Sequence, residues 1–77
     1  MAEELDVVAL KVDRPDLGLV TGDRGAVVMV FDAGACEVEF VNSDGSTRAM
    51  ATFGADEIEV VWRIADSRQP ELRKAAN

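Results

Sequence analysis

The chain has 77 residues, 48% of them hydrophobic and 30% charged, which allows one small domain with a single core and argues against a disordered chain. Its 15 Asp and Glu against 8 Lys and Arg give a net charge of −7, which opposes binding to nucleic-acid phosphates and to anionic membranes. The N-terminus has no basic flank before a long apolar stretch, and no apolar run reaches membrane-spanning length. We therefore expect a cytoplasmic protein without a signal peptide or membrane span.

Apolar residues in alternation, interrupted by Gly and Asp turn signals, predict five short strands. In chain order, the predicted strands cover residues 5–12, 26–31, 36–41, 47–53 and 58–64. The loop at residues 17–23 carries apolar side chains and is predicted to fold back on the core. We predict an all-β fold, a small five-stranded antiparallel SH3-like barrel over residues 1–64, partly open. Residues 65–77 are predicted to form a C-terminal tail, frayed or a short helix that Pro70 opens.

The connections between strands predict which side chains face the core. A four-residue turn at 32–35 gives one inward face. Its predicted facing pairs are Phe31 with Cys36, Met29 with Val38, and Val27 with Phe40. The Asp44-Gly45 pair predicts a type I′ hairpin that sets Phe40 opposite Ala49 and Val41 opposite Arg48.

Several residues are predicted to face outward. Glu37 and Glu39 alternate with the inward residues of the third strand, so they point to solvent. Val28 and Val30 make the other face of the second strand apolar as well. These two side chains must therefore be covered by the folded-back loop, by the tail or by another molecule. The candidate partner-binding residues are therefore Glu37, Glu39, Arg48, Val28 and Val30.

Side chains suited to catalysis or metal binding are scarce in the sequence. The chain has one cysteine, Cys36, and no histidine, so it can form no intrachain disulfide and offers no base to activate a nucleophile. Cys36 is interpreted as a small buried apolar side chain. Trp62 is in phase with its apolar neighbours and is assigned to the core or barrel end, with partly exposed recognition as the alternative. We predict no catalytic, metal or cofactor-binding residue.

Four sequence blocks also resemble a known family. They are Glu4-Leu5-Asp6-Val7-Val8-Ala9-Leu10, Gly22-Asp23-Arg24-Gly25-Ala26-Val27-Val28, Glu37-Val38-Glu39-Phe40-Val41 with Asp44-Gly45, and Ala55-Asp56-Glu57-Ile58. Together they resemble the bacterial domain of unknown function 4926 family over residues 4–61. The resemblance implies an SH3-like barrel in a small bacterial protein and supplies no catalytic residue. The second block is also similar to the start of the KOW motif, whose RNA-binding members are basic, unlike this chain.

The predicted function is a noncatalytic protein-binding or accessory module, of the antitoxin, immunity or inhibitor kind. Its expected partner is a basic or mixed-charge protein or a second copy of the chain, with neither nucleic acid nor membrane involved. The alternative is a KOW-like nucleic-acid module that relies on Arg14 and Arg24. A small hydrolase or metal enzyme is a third hypothesis.

Overall fold

Five antiparallel strands form one sheet in the computed structural model, which describes residues 1–66. The strands are β1 Val7–Leu10, β2 Arg24–Val30, β3 Cys36–Val41, β4 Thr47–Phe53 and β5 Ile58–Trp62. Their order in the sheet is β4-β3-β2-β1-β5, so β4 and β5 form the two edges. The predicted all-β class is confirmed, and the sheet with unpaired edges is compatible with a partly open barrel. The tail helix predicted around Pro70 lies outside the described residues.

The core lies on one face of this sheet and draws on every strand. Its buried apolar members are Ala2, Val8, Leu10, Leu19, Val27, Cys36, Val38, Phe40, Phe53 and Ile58. Leu19 comes from the loop after β1, so the prediction that this loop folds back on the core is confirmed. Phe40 and Phe53 meet edge to face at 5.8 Å between ring centroids.

The register between β2 and β3 differs from the prediction. Phe31 N donates to Ala35 O at 2.7 Å, so the connection is one residue longer than predicted and Cys36 pairs with Val30. Val28 then has no partner on β3, and beyond this bulge Val27 pairs with Val38 instead of the predicted Phe40; both paired side chains are buried. The prediction that Met29 and Phe31 face inward is wrong, because the bulge leaves both exposed.

The hairpin between β3 and β4 confirms one predicted pair and corrects the turn type. Phe40 pairs with Ala49 as predicted, but Val41 pairs with Thr47, which makes Arg48 a bulge residue. Gly45 has a φ of +91°, whereas Asp44 is not among the residues with positive φ, so the turn is not type I′. Gly45 N donates to Asn42 O at 2.9 Å and Asn42 N to Ser46 O at 2.8 Å. This is the pattern of a three-residue loop with a left-handed glycine.

The glycines at the entrance to β2 serve two different purposes. Gly22 has a φ of +95°, which turns the chain from the loop toward the strand. Gly25 has no positive φ; its backbone instead lies against Val38, Glu39 and Phe40 of β3. The second glycine is therefore required by the close approach of two strands, not by turn geometry.

Within residues 1–66, no helix is long and apolar enough to cross a membrane.

Candidate functional site

Three adjacent strands carry an outward surface with two glutamates at its centre. Register pairs Met29 of β2 with Glu37 of β3 and Thr52 of β4 in one row, and Ala26, Glu39 and Met50 in the next. We call this surface the methionine–glutamate face; its members are Ala26, Met29, Glu37, Glu39, Met50 and Thr52. It brings both predicted glutamates together on one face.

The methionine–glutamate face combines apolar contact area with negative charge. Met29 is 50% exposed and Met50 is 48% exposed, and they flank the two half-buried glutamates. The two ion pairs formed by residues 1–66 involve neither Glu37 nor Glu39. Glu39 Oε2 accepts a 2.6 Å hydrogen bond from Thr47 Oγ1, which fixes that carboxylate in place. The face can therefore offer adaptable apolar contacts around two carboxylates, of which Glu39 is held in place.

The other three predicted partner-binding residues lie elsewhere. Val30 packs against the buried core, so the prediction that it forms an outward strip is wrong. Val28 is the half-buried bulge residue of β2. Arg48, the bulge residue of β4, donates from Nη2 to Gly18 O at 2.7 Å and so holds the first loop. Met29, which replaces Val30 on the outward surface, was not predicted because the alternation of β2 gave no sign of the bulge.

The second row continues across the sheet to a partly exposed tryptophan. Ala26 pairs with Val7, and Val7 pairs with Trp62, which is 44% exposed. The register between β1 and β5 slips by one residue next to this pair, which leaves Val61 unpaired and changes the phase of Trp62 relative to Ile58. Assignment of Trp62 to the core is therefore wrong, and the partly exposed alternative agrees with its position.

A shallow depression adjoins the row where its side chains are smallest. It measures about 230 Å³ and is lined by Val7, Arg24, Gly25, Ala26, Glu39 and Val41. Ala26 leaves this space between larger neighbours on β1 and β3. The depression extends the apolar part of the surface beside Glu39.

Of the two arginines predicted for nucleic-acid binding, one is engaged in contacts within the domain and the other is exposed. Arg14 makes a bidentate contact with Asp16 at 3.0 and 3.1 Å. Its Cζ lies 5.4 Å from the centroid of the buried Phe53 ring, so it covers that end of the core. Arg24 is exposed at the start of β2.

The carboxylates of the acidic residues in the first loop accept hydrogen bonds from nearby residues. Asp13 accepts hydrogen bonds from the backbone N–H and hydroxyl of Thr21, and these lower the pKa of its carboxyl. Asp23 accepts from Val20 N at 3.0 Å. The hydrogen bond from Arg14 likewise lowers the pKa of Asp16. In the described part of the chain, no three carboxylate or thiol groups converge in a way that could hold a metal ion.

Cys36 lies fully buried at the start of β3, as interpreted from the sequence. Its thiol points to Gly34 O at 3.5 Å. Burial raises the pKa of the thiol, and the negative charge of Asp6 raises it further. A buried, protonated thiol is a poor nucleophile, so the group acts here as packing.

A buried aspartate joins the two ends of the described chain. Asp6 is 1% exposed, and its carboxylate accepts from Glu3 N and from Ile64 N, each at 2.9 Å. Arg63 Nη1 lies 3.7 Å from the same carboxylate and also donates to Met1 O at 3.2 Å. No role is predicted for Asp6 from the sequence, where its one signal is an acid placed directly before the apolar run of β1.

Comparison with known proteins identifies one relationship. The model of the family described as "Domain of unknown function (DUF4926)" matches residues 4–60 of the chain. No match was found among curated proteins or among solved structures. The family match covers the first four strands and most of β5 and confirms the resemblance carried by the four sequence blocks. The chain therefore belongs to the DUF4926 family.

Proposed function

We propose that the protein is a noncatalytic binding module that uses its methionine–glutamate face to engage a basic or mixed-charge protein. The observation that supports this most directly is two glutamates that form no ion pair within residues 1–66 and that lie between two half-exposed methionines. A compact acidic binder of this kind suits a neutralising role, as in antitoxin, immunity or inhibitor proteins. The cytoplasm of a bacterium is the proposed setting, since a free buried thiol suits a reducing compartment.

The two carboxylates of this face favour a partner with basic side chains. Covering Glu37 and Glu39 with an apolar partner would desolvate two carboxylates without compensation, which costs several kcal/mol. A partner with Lys or Arg opposite them supplies that compensation and gains a faster encounter from the net charge of −7. The flexible methionine side chains adapt to the apolar parts of the partner.

The test compares two variants that lose the same charge at different places. The immobilised wild-type protein is used to capture its partner from native bacterial lysate. The partner is then purified, and its Kd is measured for the wild type and for each variant. Glu37→Gln with Glu39→Gln should weaken binding by about tenfold or more, as expected for the loss of buried charged contacts. Glu4→Gln with Glu59→Gln removes the same charge away from the face and should change Kd by less than about threefold.

Two results would count against the proposal. Equal weakening by both variants would show that net charge, not this face, governs binding. Recovery of no stable partner at low and moderate salt would remove the protein-binding function itself.

The KOW-like nucleic-acid function has less support. Arg14 is committed to Asp16 and Phe53, which leaves Arg24 as the one exposed arginine of the two. Retardation of RNA or DNA at low salt, abolished by Arg24→Gln, would favour it over protein binding.

A further inference from the structure

The outer edge of β4 adjoins the methionine–glutamate face. In the described chain, β4 pairs with β3 on one side and has no strand on the other. From Ala49 to Phe53 its pairing with β3 is regular, residue by residue. Such an edge presents a row of backbone N–H and C=O groups that another extended segment can pair with.

Residues 49–53 of this edge lack the side chains that commonly block strand addition. Residues 49–53 read Ala-Met-Ala-Thr-Phe, with no proline, no lysine and no inward charge, and the bulge at Arg48 precedes them. All of β4 carries one basic residue and no acid, although the chain has a net charge of −7. Repulsion of an incoming strand at this edge is therefore weak.

The two faces of β4 call for different side chains in that strand. On the core side, Ala49 and Ala51 pack against the buried cluster but are half-buried, so apolar side chains beside them would extend the core. On the outer side, Met50 and Thr52 separate the edge from Glu37 and Glu39. An added strand would lie about 10 Å from β3, which extended Lys or Arg side chains can bridge toward the glutamates.

We propose that β4 binds an extended segment of the partner as a sixth strand, with apolar residues facing the core and Lys or Arg facing outward. This inference rests on the proposed function, because it assigns a binding mode to the same face. Backbone hydrogen bonds would provide affinity, and the alternating side chains would provide specificity.

The test uses a short capped peptide of alternating valine and lysine, titrated into the ¹⁵N-labelled full chain. Amide shifts should change along residues 48–53, and the amides at the edge should become protected from hydrogen exchange. Two further peptides carry N-methyl groups on one or the other set of alternate residues. Strand pairing uses the N–H groups of one set, so one methylated peptide should lose at least about tenfold in affinity and the other should not.

Two single-site variants locate the binding. Thr52→Lys places a positive charge beside the outward lysines of the added strand and should weaken binding severalfold. Val61→Lys adds the same charge at the opposite edge of the sheet and should leave the affinity unchanged. Equal effects of the two variants would contradict binding at β4.

The remaining outcomes separate this inference from the proposed function. Equal binding of both methylated peptides would overturn strand addition in favour of side-chain contacts. Absence of peptide binding, with a purified partner still dependent on Glu37 and Glu39, would also overturn it and leave the proposed function standing. Sedimentation of the free chain as a dimer with β4 amides already protected would assign the edge to a second copy and refute the inference.

Discussion

Gly25 is the position where one added methyl group should disturb this fold most. Its backbone is buried between β1 and β3. A Cβ built there would lie 2.6 Å from Val38 Cγ1, 2.8 Å from Glu39 O and 2.9 Å from Phe40 Cδ2. All three distances are shorter than real Cβ contacts, so Gly25→Ala must move β3 relative to β2.

The expected cost follows from what the methyl group meets. Overpacking a core costs about 1–3 kcal/mol, and the upper end applies here because one contact is a backbone carbonyl that cannot rotate away. Val38 and Phe40 are themselves buried, so neither side chain has space to move into. At about 4–8 °C per kcal/mol for a domain of this size, a loss of about 3 kcal/mol lowers Tm by about 12–24 °C.

Urea unfolding followed by far-UV circular dichroism measures this loss, with Gly22→Ala as the matched control. Gly22 has a φ of +95° and no atom within 4 Å of an added Cβ, so its substitution incurs backbone strain alone. That strain is worth about 1–2 kcal/mol. If Gly25→Ala unfolds at the wild-type urea concentration, or loses less stability than Gly22→Ala, the assigned packing of β2 on β3 is refuted.

Three further predictions concern single polar or thiol groups. Asp6→Ala leaves two backbone N–H groups without their buried acceptor and Arg63 without this ion pair, and should cost about 3 kcal/mol or more in urea unfolding; a loss below about 1 kcal/mol would contradict the role of Asp6 in joining the two ends of the described chain. Because the folded pKa of Asp13 is depressed, its contribution to stability is present at neutral pH and is lost as pH falls through that pKa. Thr21→Val removes one of its two donors and should raise the Asp13 midpoint in a carboxyl NMR titration; an unchanged midpoint would assign the shift to the backbone bond alone. Cys36 should resist alkylation by iodoacetamide in the native chain and react on unfolding, and rapid native labelling would show that the start of β3 opens.

The strand positions follow largely from sequence, because alternation and turn residues act over a few neighbours. The predicted third and fourth strands coincide with β3 and β4, whereas the first and fifth extend beyond β1 and β5 at their ends. At the end of β5 the chain leaves the sheet, and Ile64 N donates to Asp6 instead of continuing the pairing with β1. Alternation in sequence continues past the last hydrogen-bonded pair, so it overestimates strand length.

The faces were harder to predict than the strands, and β-bulges are the physical reason. A bulge inserts one unpaired residue and exchanges the inward and outward sides beyond it. The sheet contains three such bulge residues, Val28, Arg48 and Val61, and no sequence pattern marks any of them. Glu37 and Glu39 were placed correctly because no bulge interrupts the regular register of β3 with β4 around them.

The bond between Asp6 and Ile64 N joins residues 58 positions apart, which has a kinetic consequence. Closing so long a loop is entropically unfavourable until the strands between have assembled, so we expect this contact to form after the rate-limiting step of folding. Asp6→Ala should then accelerate unfolding in stopped-flow measurements while leaving the refolding rate nearly unchanged. We therefore expect the segment before β1 and the end of β5 to separate early when the domain opens.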